Sequence, residues 1–249
     1  MIIKKLNSPG KSCQKVFFYE PPFLLYYNNM NPKVKANLEK IESEYGHIDT
    51  ILVFGSAITS EWTEKSDIDI FLIDNSFHDS RSEKTIDGIT VEFQEDSFDT
   101  IKHNMEAERG NLLHRNLSNM IATSEPVSTK SPAKLAELKS LADDILISAP
   151  NYDDEDAKMW RYSILDYLAK AEKDIARNDA VAFYIDAHYV LQNALELSLA
   201  THDTYMPQPK HLAKLLAEKD PELLEIWQKY LTATDLKSKL SILSKLNAK

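Results

Sequence analysis

Hydrophobic and polar positions change their spacing along the chain and so indicate where strands and helices lie. Three short apolar runs predict buried β-strands, at residues 50–54, 68–73 and 89–93. Three segments whose apolar positions recur with helical spacing surround them, at residues 34–45, 97–108 and 111–120. Strands interleaved with helices are typical of a layered α/β domain.

From residue 131 onward the pattern is helical almost throughout. Apolar positions three and four residues apart predict four or more amphipathic helices, which form a bundle when their connections are short. His188 shares a helix face with Tyr184, Leu191 and Leu195. We therefore expect it to pack in the bundle core, and its alternative is a contact with the substrate. The strand patterns stop at Ser131-Pro132. We therefore expect three parts: an irregular N-terminal arm (1–36), an α/β domain (37–130) and a helical bundle (131–249).

Composition and charge narrow the classes of function. The 249 residues carry a formal net charge of −10, whereas proteins that bind nucleic acids or anionic membranes through charge are usually basic. The single cysteine, Cys13, excludes an intramolecular disulfide and a cysteine-rich zinc site. No apolar stretch is long enough for a transmembrane helix or a signal peptide. We therefore expect a cytoplasmic protein without nucleic-acid or membrane partners.

Two short motifs carry the candidate chemistry. Gly55 and Ser56 follow the first apolar run, and Asp67 and Asp69 lie at the start of the second. Side chains at alternate strand positions share one face, with Cα atoms about 6.5–7 Å apart. Two neighbouring carboxylates repel each other, and a divalent cation with hard oxygen ligands, such as Mg²⁺, offsets that cost. The alternative interpretation is a polar strand edge with a serine in the preceding turn.

The Gly55-Ser56 and Asp67-Ile68-Asp69 motifs together resemble the nucleotidyltransferase superfamily of the DNA polymerase β type, over residues 37–129. The resemblance implies a mixed sheet and Mg²⁺ or Mn²⁺ ions held by Asp67, Asp69 and a third carboxylate. Glu92 stands where that carboxylate is expected, and its alternative is a solvent-facing strand residue. The resemblance also implies that an acceptor hydroxyl attacks the α-phosphorus of a nucleoside triphosphate, with ATP the expected one, and releases pyrophosphate.

The resemblance assigns nucleotide contacts to residues near these motifs: Gly55, Ser56, Lys65 and Ser66. Many relatives carry an arginine directly after the Gly-Ser pair and a glycine three positions further on. Ala57 and Ser60 stand at those positions here. We therefore expect other cations, such as Lys65 or Lys102, to contact the triphosphate.

The helical part is similar to that of the aminoglycoside nucleotidyltransferases, which follow the catalytic domain with a bundle and carry a late Pro-Lys segment, here Pro209-Lys210. This similarity implies that the bundle helps to hold the acceptor in a cleft between the domains, and that an acidic residue outside the Asp-x-Asp motif can act as base. The acidic run at 153–156 has two interpretations. It caps a helix, or Glu155 contacts a cationic acceptor or serves as the base.

The sequence therefore predicts an enzyme that transfers a nucleoside monophosphate to a small hydroxylated acceptor, such as an aminoglycoside-like antibiotic. One alternative keeps the chemistry but uses a protein side chain as the acceptor, as in toxin–antitoxin systems. The other is a degenerate nucleotide-binding module with a regulatory role. A homodimer is left open.

Overall fold

The computed structural model describes residues 30–113 and 115–248. Most of the predicted arm, residues 1–29, lies outside this range, as does Cys13. Within the described residues, the first helix begins at Pro32. The chain forms two compact units. The first contains residues 30–104 and 119–143, and the second contains residues 105–113, 115–118 and 144–248. The functional domain boundaries at 36/37 and 130/131 stay a prediction.

The first unit is built on a mixed five-stranded sheet with the strand order β3-β4-β2-β1-β5. Its strands are β1 (Thr50–Phe54), β2 (Ile68–Ile73), β3 (Ser80–Ile86), β4 (Ile89–Asp96) and β5 (Glu125–Thr129). Only β2 and β4 pair in parallel, and the other neighbours pair antiparallel. Two parallel strands need a crossover connection. Here the connection from β2 to β4 contains β3, an edge strand that pairs antiparallel with β4.

One face of this sheet is covered by helix α1 (Pro32–Tyr45). Alternate side chains of β2 (Ile68, Ile70 and Leu72) are fully buried in the cluster that α1 completes. The helix starts where the side chain of Asn31 accepts a hydrogen bond from the Lys33 amide, with proline at the first helical position. Since this face is apolar, the polar side chains of β2 and β4 lie on the other face of the sheet.

The helices that follow the sheet are α2 (Phe98–Glu108), α3 (Asn116–Thr123), α4 (Pro132–Ile147), α5 (Asp154–Ala176), α6 (Ala180–Thr201), α7 (Pro209–Lys219), α8 (Pro221–Thr232) and α9 (Leu236–Leu243). The long pair α5 and α6 builds the core of the second unit. Aspartate side chains cap the starts of four of these helices: Asp153, Asp179, Asp220 and Asp235. Each helix of the described residues is too short or too polar to cross a bilayer.

The predicted fold class, a mixed α/β sheet domain followed by a helical region, is confirmed. The predicted helix at 111–120 is wrong in its first half, because α3 begins only at Asn116. The sequence did not predict β3 and β5. His188 does not pack in the core: it is exposed on α6, with its ring centroid 5.8 Å from that of Tyr189.

Candidate active site

Three carboxylates converge at the edge of the sheet where β2 and β4 begin. The parallel register pairs Asp69 on β2 with Glu92 on β4, and Asp67 directly precedes β2. The neighbours of Glu92 on β4, Val91 and Phe93, are buried on the other face, so Glu92 shares the face of Asp69. One carboxylate oxygen from each acidic residue lies within 4.8 Å of the others. We call Asp67, Asp69 and Glu92 the acidic triad.

Gly55 lies directly against the acidic triad. Phe54 pairs with Asp69 across β1 and β2, and the chain then turns at Gly55 into a short 3-10 helix, Gly55–Ile58. Gly55 has a φ of 71°, in the left-handed region that disfavours side chains. A Cβ atom at this position would stand 2.3 Å from Asp69 Oδ2. The glycine is therefore required both for the backbone conformation and for the space that the carboxylate occupies.

Burial and the neighbouring carboxylates raise the pKa of one member of the triad. The pKa of Asp69 rises from 3.8 to about 6, first because the carboxyl is partly buried and then because Asp67 and Glu92 place negative charge beside it. All three causes disfavour the ionised form. A cation between the carboxylates would reverse this effect, so the electrostatics of the triad are those of an acidic metal site.

The loop before β2 positions Asp67 through its backbone. Trp62 Nε1 donates a hydrogen bond to the Asp67 carbonyl oxygen at 3.2 Å. The Ser66 amide donates to the Thr63 carbonyl at 2.9 Å, and the Ser66 hydroxyl oxygen accepts from the Thr63 amide at 3.1 Å. Lys65 is exposed at the tip of this turn. Trp62 was not predicted as a site residue, although an aromatic residue five positions before Asp67 was a signal in the sequence.

Ser56 and Lys102, two of the predicted triphosphate contacts, have neighbours that the structure shows. Ser56 is half-buried in the 3-10 helix, and its carbonyl oxygen accepts from the Thr59 amide. Lys102 forms an ion pair with Glu137. The roles of Gly55, Ser56, Lys65 and Ser66 in binding a nucleotide stay a prediction.

The acidic run before α5 forms a capping box. Asp153 accepts from the amides of Glu155 and Asp156, and Asp156 accepts from the Asp153 amide at 3.0 Å. Glu155 forms an ion pair with Lys158 one turn further along the helix. The N-cap interpretation of this run is therefore confirmed.

A known protein family matches the part of the chain that holds this site. Residues 36–121 match the family described as "Polymerase beta, Nucleotidyltransferase". Among solved structures, the chain is similar to a nucleotidyltransferase-like protein from Exiguobacterium sibiricum 255-15, with 13% sequence identity and a TM-score of 0.47 over 84% of this chain and 73% of that one. No curated protein sequence matches the chain.

The matched segment contains β1, the Gly55 turn and the whole acidic triad. The resemblance to the superfamily is thus confirmed for this part of the chain, and so is the prediction that the protein is an enzyme of the nucleotidyltransferase class. Residues 36–121 constitute a nucleotidyltransferase domain of the polymerase β superfamily, with the acidic triad as its candidate catalytic centre.

Proposed function

We propose that this protein transfers a nucleoside monophosphate from a nucleoside triphosphate to a hydroxyl group of a small acceptor. The observation that carries the proposal is the convergence of Asp67, Asp69 and Glu92 within 4.8 Å in a nucleotidyltransferase domain. In the reaction, the acceptor oxygen forms a bond to the α-phosphorus and the bond from that phosphorus to the β-phosphate oxygen breaks. The hydroxyl proton passes to a base, and pyrophosphate leaves.

The triad fits a divalent cation such as Mg²⁺ or Mn²⁺. It offers three hard oxygen ligands, and the raised pKa of Asp69 marks a concentration of negative charge that a cation would neutralise. When bound, the metal would neutralise triphosphate charge and make the acceptor hydroxyl easier to deprotonate.

Residues of the protein itself would bind the triphosphate and accept the proton. Gly55 leaves room for the Asp69 carboxylate beside the 3-10 turn, because a Cβ atom there would stand 2.3 Å from Asp69 Oδ2. The Ser56 hydroxyl and the turn that carries Lys65 and Ser66 are the proposed donors to the triphosphate, for which ATP is the expected source. Glu92 is exposed, so it is open to a proton from the acceptor hydroxyl.

The proposed role of Glu92 as base is tested with Glu92→Gln. Loss of a base acts mainly on the transition state, so we expect kcat to fall on the order of 100-fold or more with little change in nucleotide affinity. Glu155→Gln is the matched variant outside the triad, and its kcat should stay near that of the wild type. If Glu155→Gln is impaired and Glu92→Gln is not, the base lies at the start of α5.

The acceptor class is proposed from charge. A net charge of −10 favours a cationic hydroxylated compound over an anionic one, and aminoglycoside-like antibiotics belong to that class. The choice of this acceptor class rests on the net charge alone, so the test must include other hydroxylated compounds.

The proposal is tested by incubating the protein and Mg²⁺ with α-labelled ATP, GTP, CTP and UTP against a panel of aminoglycosides, neutral sugars and proteins. We expect label transfer to a small hydroxylated compound with an equal yield of pyrophosphate. Asp67→Asn should abolish both label transfer and pyrophosphate release. Glu83→Gln should leave both unchanged; Glu83 lies on β3 and pairs with Glu92 on β4. Label transfer to protein alone would replace the small acceptor with a protein side chain. Mn²⁺-dependent ATP binding without any pyrophosphate release would instead indicate a regulatory module.

A further inference from the structure

Strand β3 leaves one edge of the sheet open. It stands at the end of the strand order, and among the described residues it pairs with β4 alone. Six of its seven residues are exposed, whichever face of the sheet they lie on. The backbone N–H and C=O groups on the outer side of β3 therefore meet no other described strand. Such an edge accepts a further strand through main-chain hydrogen bonds.

Two opposite charges of β3 lie on the face of the sheet that carries the acidic triad, here called the triad face. Glu83 lies directly opposite Glu92 on β4, and Arg81 lies opposite Gln94 in the next row. Residues that stand directly opposite each other share a face of the sheet. Since Glu92 belongs to the triad, both Arg81 and Glu83 lie on the triad face.

These two charges have no counter-charge within one chain. In the part of the chain that the structure describes, Arg81 and Glu83 form no ion pair and no side-chain hydrogen bond. Glu83 faces the like charge of Glu92, an arrangement that destabilises a sheet. On the other face of β3, in contrast, Lys84 pairs with Glu44 of α1. The triad face of β3 is therefore the side on which charge remains to be compensated.

One register of two antiparallel β3 strands compensates both charges. When Ser82 lies opposite Ser82 of a second copy, Arg81 of each chain lies opposite Glu83 of the other. The triad faces of the two copies then lie on the same side of the joined sheet. The two neighbouring registers that keep this arrangement place Arg81 opposite Arg81, or Glu83 opposite Glu83, and are disfavoured. Charged residues usually protect an edge from pairing, but here their alternating sign selects a single register.

We propose that β3 is a dimerisation strand, through which two copies of this chain join their sheets by antiparallel pairing of residues 80–84. Arg81 of each copy pairs with Glu83 of the other and offsets the repulsion between Glu83 and Glu92. The paired segment is short and its ion pairs are exposed, so the dimer is weak and sensitive to salt. The transfer reaction does not require this pairing, because the acidic triad and the Gly55 turn come from one chain.

The test is sedimentation equilibrium of the full chain at low salt, over protein concentrations from about 1 to about 200 μM. We expect the wild type to change from monomer to dimer across this range. Arg81→Glu places like charges opposite each other at both contacts and should raise the dissociation constant roughly tenfold or more. Lys237→Glu makes the same change of charge at an exposed position of α9 and should dimerise like the wild type.

A mixture of two variants tests the register itself. Glu83→Arg alone leaves arginine at both contact positions and should also fail to dimerise. An equimolar mixture of Arg81→Glu and Glu83→Arg places an acidic side chain opposite a basic one at both contacts. We therefore expect the mixture to form a heterodimer with an affinity near that of the wild type. In each sample that dimerises, the backbone amides of β3 should exchange hydrogen more slowly at high protein concentration.

Four results would overturn the proposal. The first is a wild type that stays monomeric at all concentrations, and the second is a dimer that Arg81→Glu does not weaken. The third is a mixture of the two variants that fails to associate. The fourth is slow exchange of the β3 amides at all protein concentrations, which would show that another segment of the same chain holds the edge. The assays of the triad variants decide the transfer reaction separately.

Discussion

At the residue scale, two features of Gly55 disfavour a side chain at this position. Its φ is 71°, and a Cβ atom added there would stand 2.3 Å from Asp69 Oδ2. These two constraints are separate, and comparison with a second glycine distinguishes their effects. Gly88 has a φ of 80°, but a Cβ atom added there would meet no atom within 4 Å. A residue with a Cβ atom would therefore be strained at either position, but only at position 55 would it also meet the acidic triad.

We predict that Gly55→Ala and Gly88→Ala both lower the free energy of unfolding by about 1 kcal/mol or more through strain. Only Gly55→Ala should also weaken Mn²⁺ binding, because its methyl group displaces the Asp69 carboxylate. Urea unfolding measures the first effect and titration with Mn²⁺ the second. If Gly88→Ala lost Mn²⁺ affinity equally, strain rather than contact would explain the requirement for Gly55.

Asp69 makes the stability of the metal-free protein depend on pH. Its pKa is about 6 in the folded protein against 3.8 for an ordinary aspartate, so the folded state binds the proton more tightly. The stability that this proton contributes is complete below the unfolded value and is lost as pH rises through the folded one. We predict that wild type loses stability relative to Asp69→Asn between about pH 4 and about pH 6 in urea unfolding with a chelator present. A constant difference across this range would contradict the shift.

Some of these residues could be identified from the sequence and others could not. Asp67 and Asp69 were identified because their spacing and apolar flanks are local features. The contact of Gly55 with Asp69 was not, because it arises from pairing between β1 and β2. His188 was misplaced because Tyr184, one turn before it, was taken with Leu191 and Leu195 as a sign of a core-facing helix face, whereas Tyr184 is 48% exposed.

At the scale of elements, the register of one strand pair creates the site. Parallel pairing of β2 with β4 puts Asp69 beside Glu92, and a slip of one residue would turn Glu92 to the buried face. The bounds of β1 and β2 followed from their apolar runs. β3 could not be predicted, since six of its seven residues are exposed and show no alternation. Because β3 was not predicted, neither the strand order nor this register could be derived from the sequence.

The capping box at the start of α5 provides a test at the same scale. Asp153 satisfies two backbone amides of the first turn, whereas Asp154 is exposed beside it. We predict that Asp153→Ala lowers the free energy of unfolding by about 1 kcal/mol. Asp154→Ala, which removes only a charge near the helix N-terminus, should cost about 0.3–1 kcal/mol at low salt and less at high salt. Equal losses in high salt would show that the cap does not form.

At the scale of the whole molecule, the account depends on the acidic triad binding a divalent cation together with a nucleotide. A chain with net charge −10 binds cations weakly at many places, so a specific site must be separated from this background. Asp67→Asn and Glu83→Gln each remove one negative charge, the first inside the triad and the second from the neighbouring strand β3. Comparing them cancels the general effect of charge.

The most direct test is Mn²⁺ binding, followed by electron paramagnetic resonance in the presence of the non-transferable analogue α,β-methylene-ATP. This measurement needs no knowledge of the acceptor. The account predicts saturable binding in the wild type, the same affinity in Glu83→Gln, and a loss of roughly tenfold or more in Asp67→Asn because a charged ligand is gone. Binding that is unchanged in Asp67→Asn, or lost equally in both variants, would contradict the assignment of the triad as the metal-binding catalytic centre.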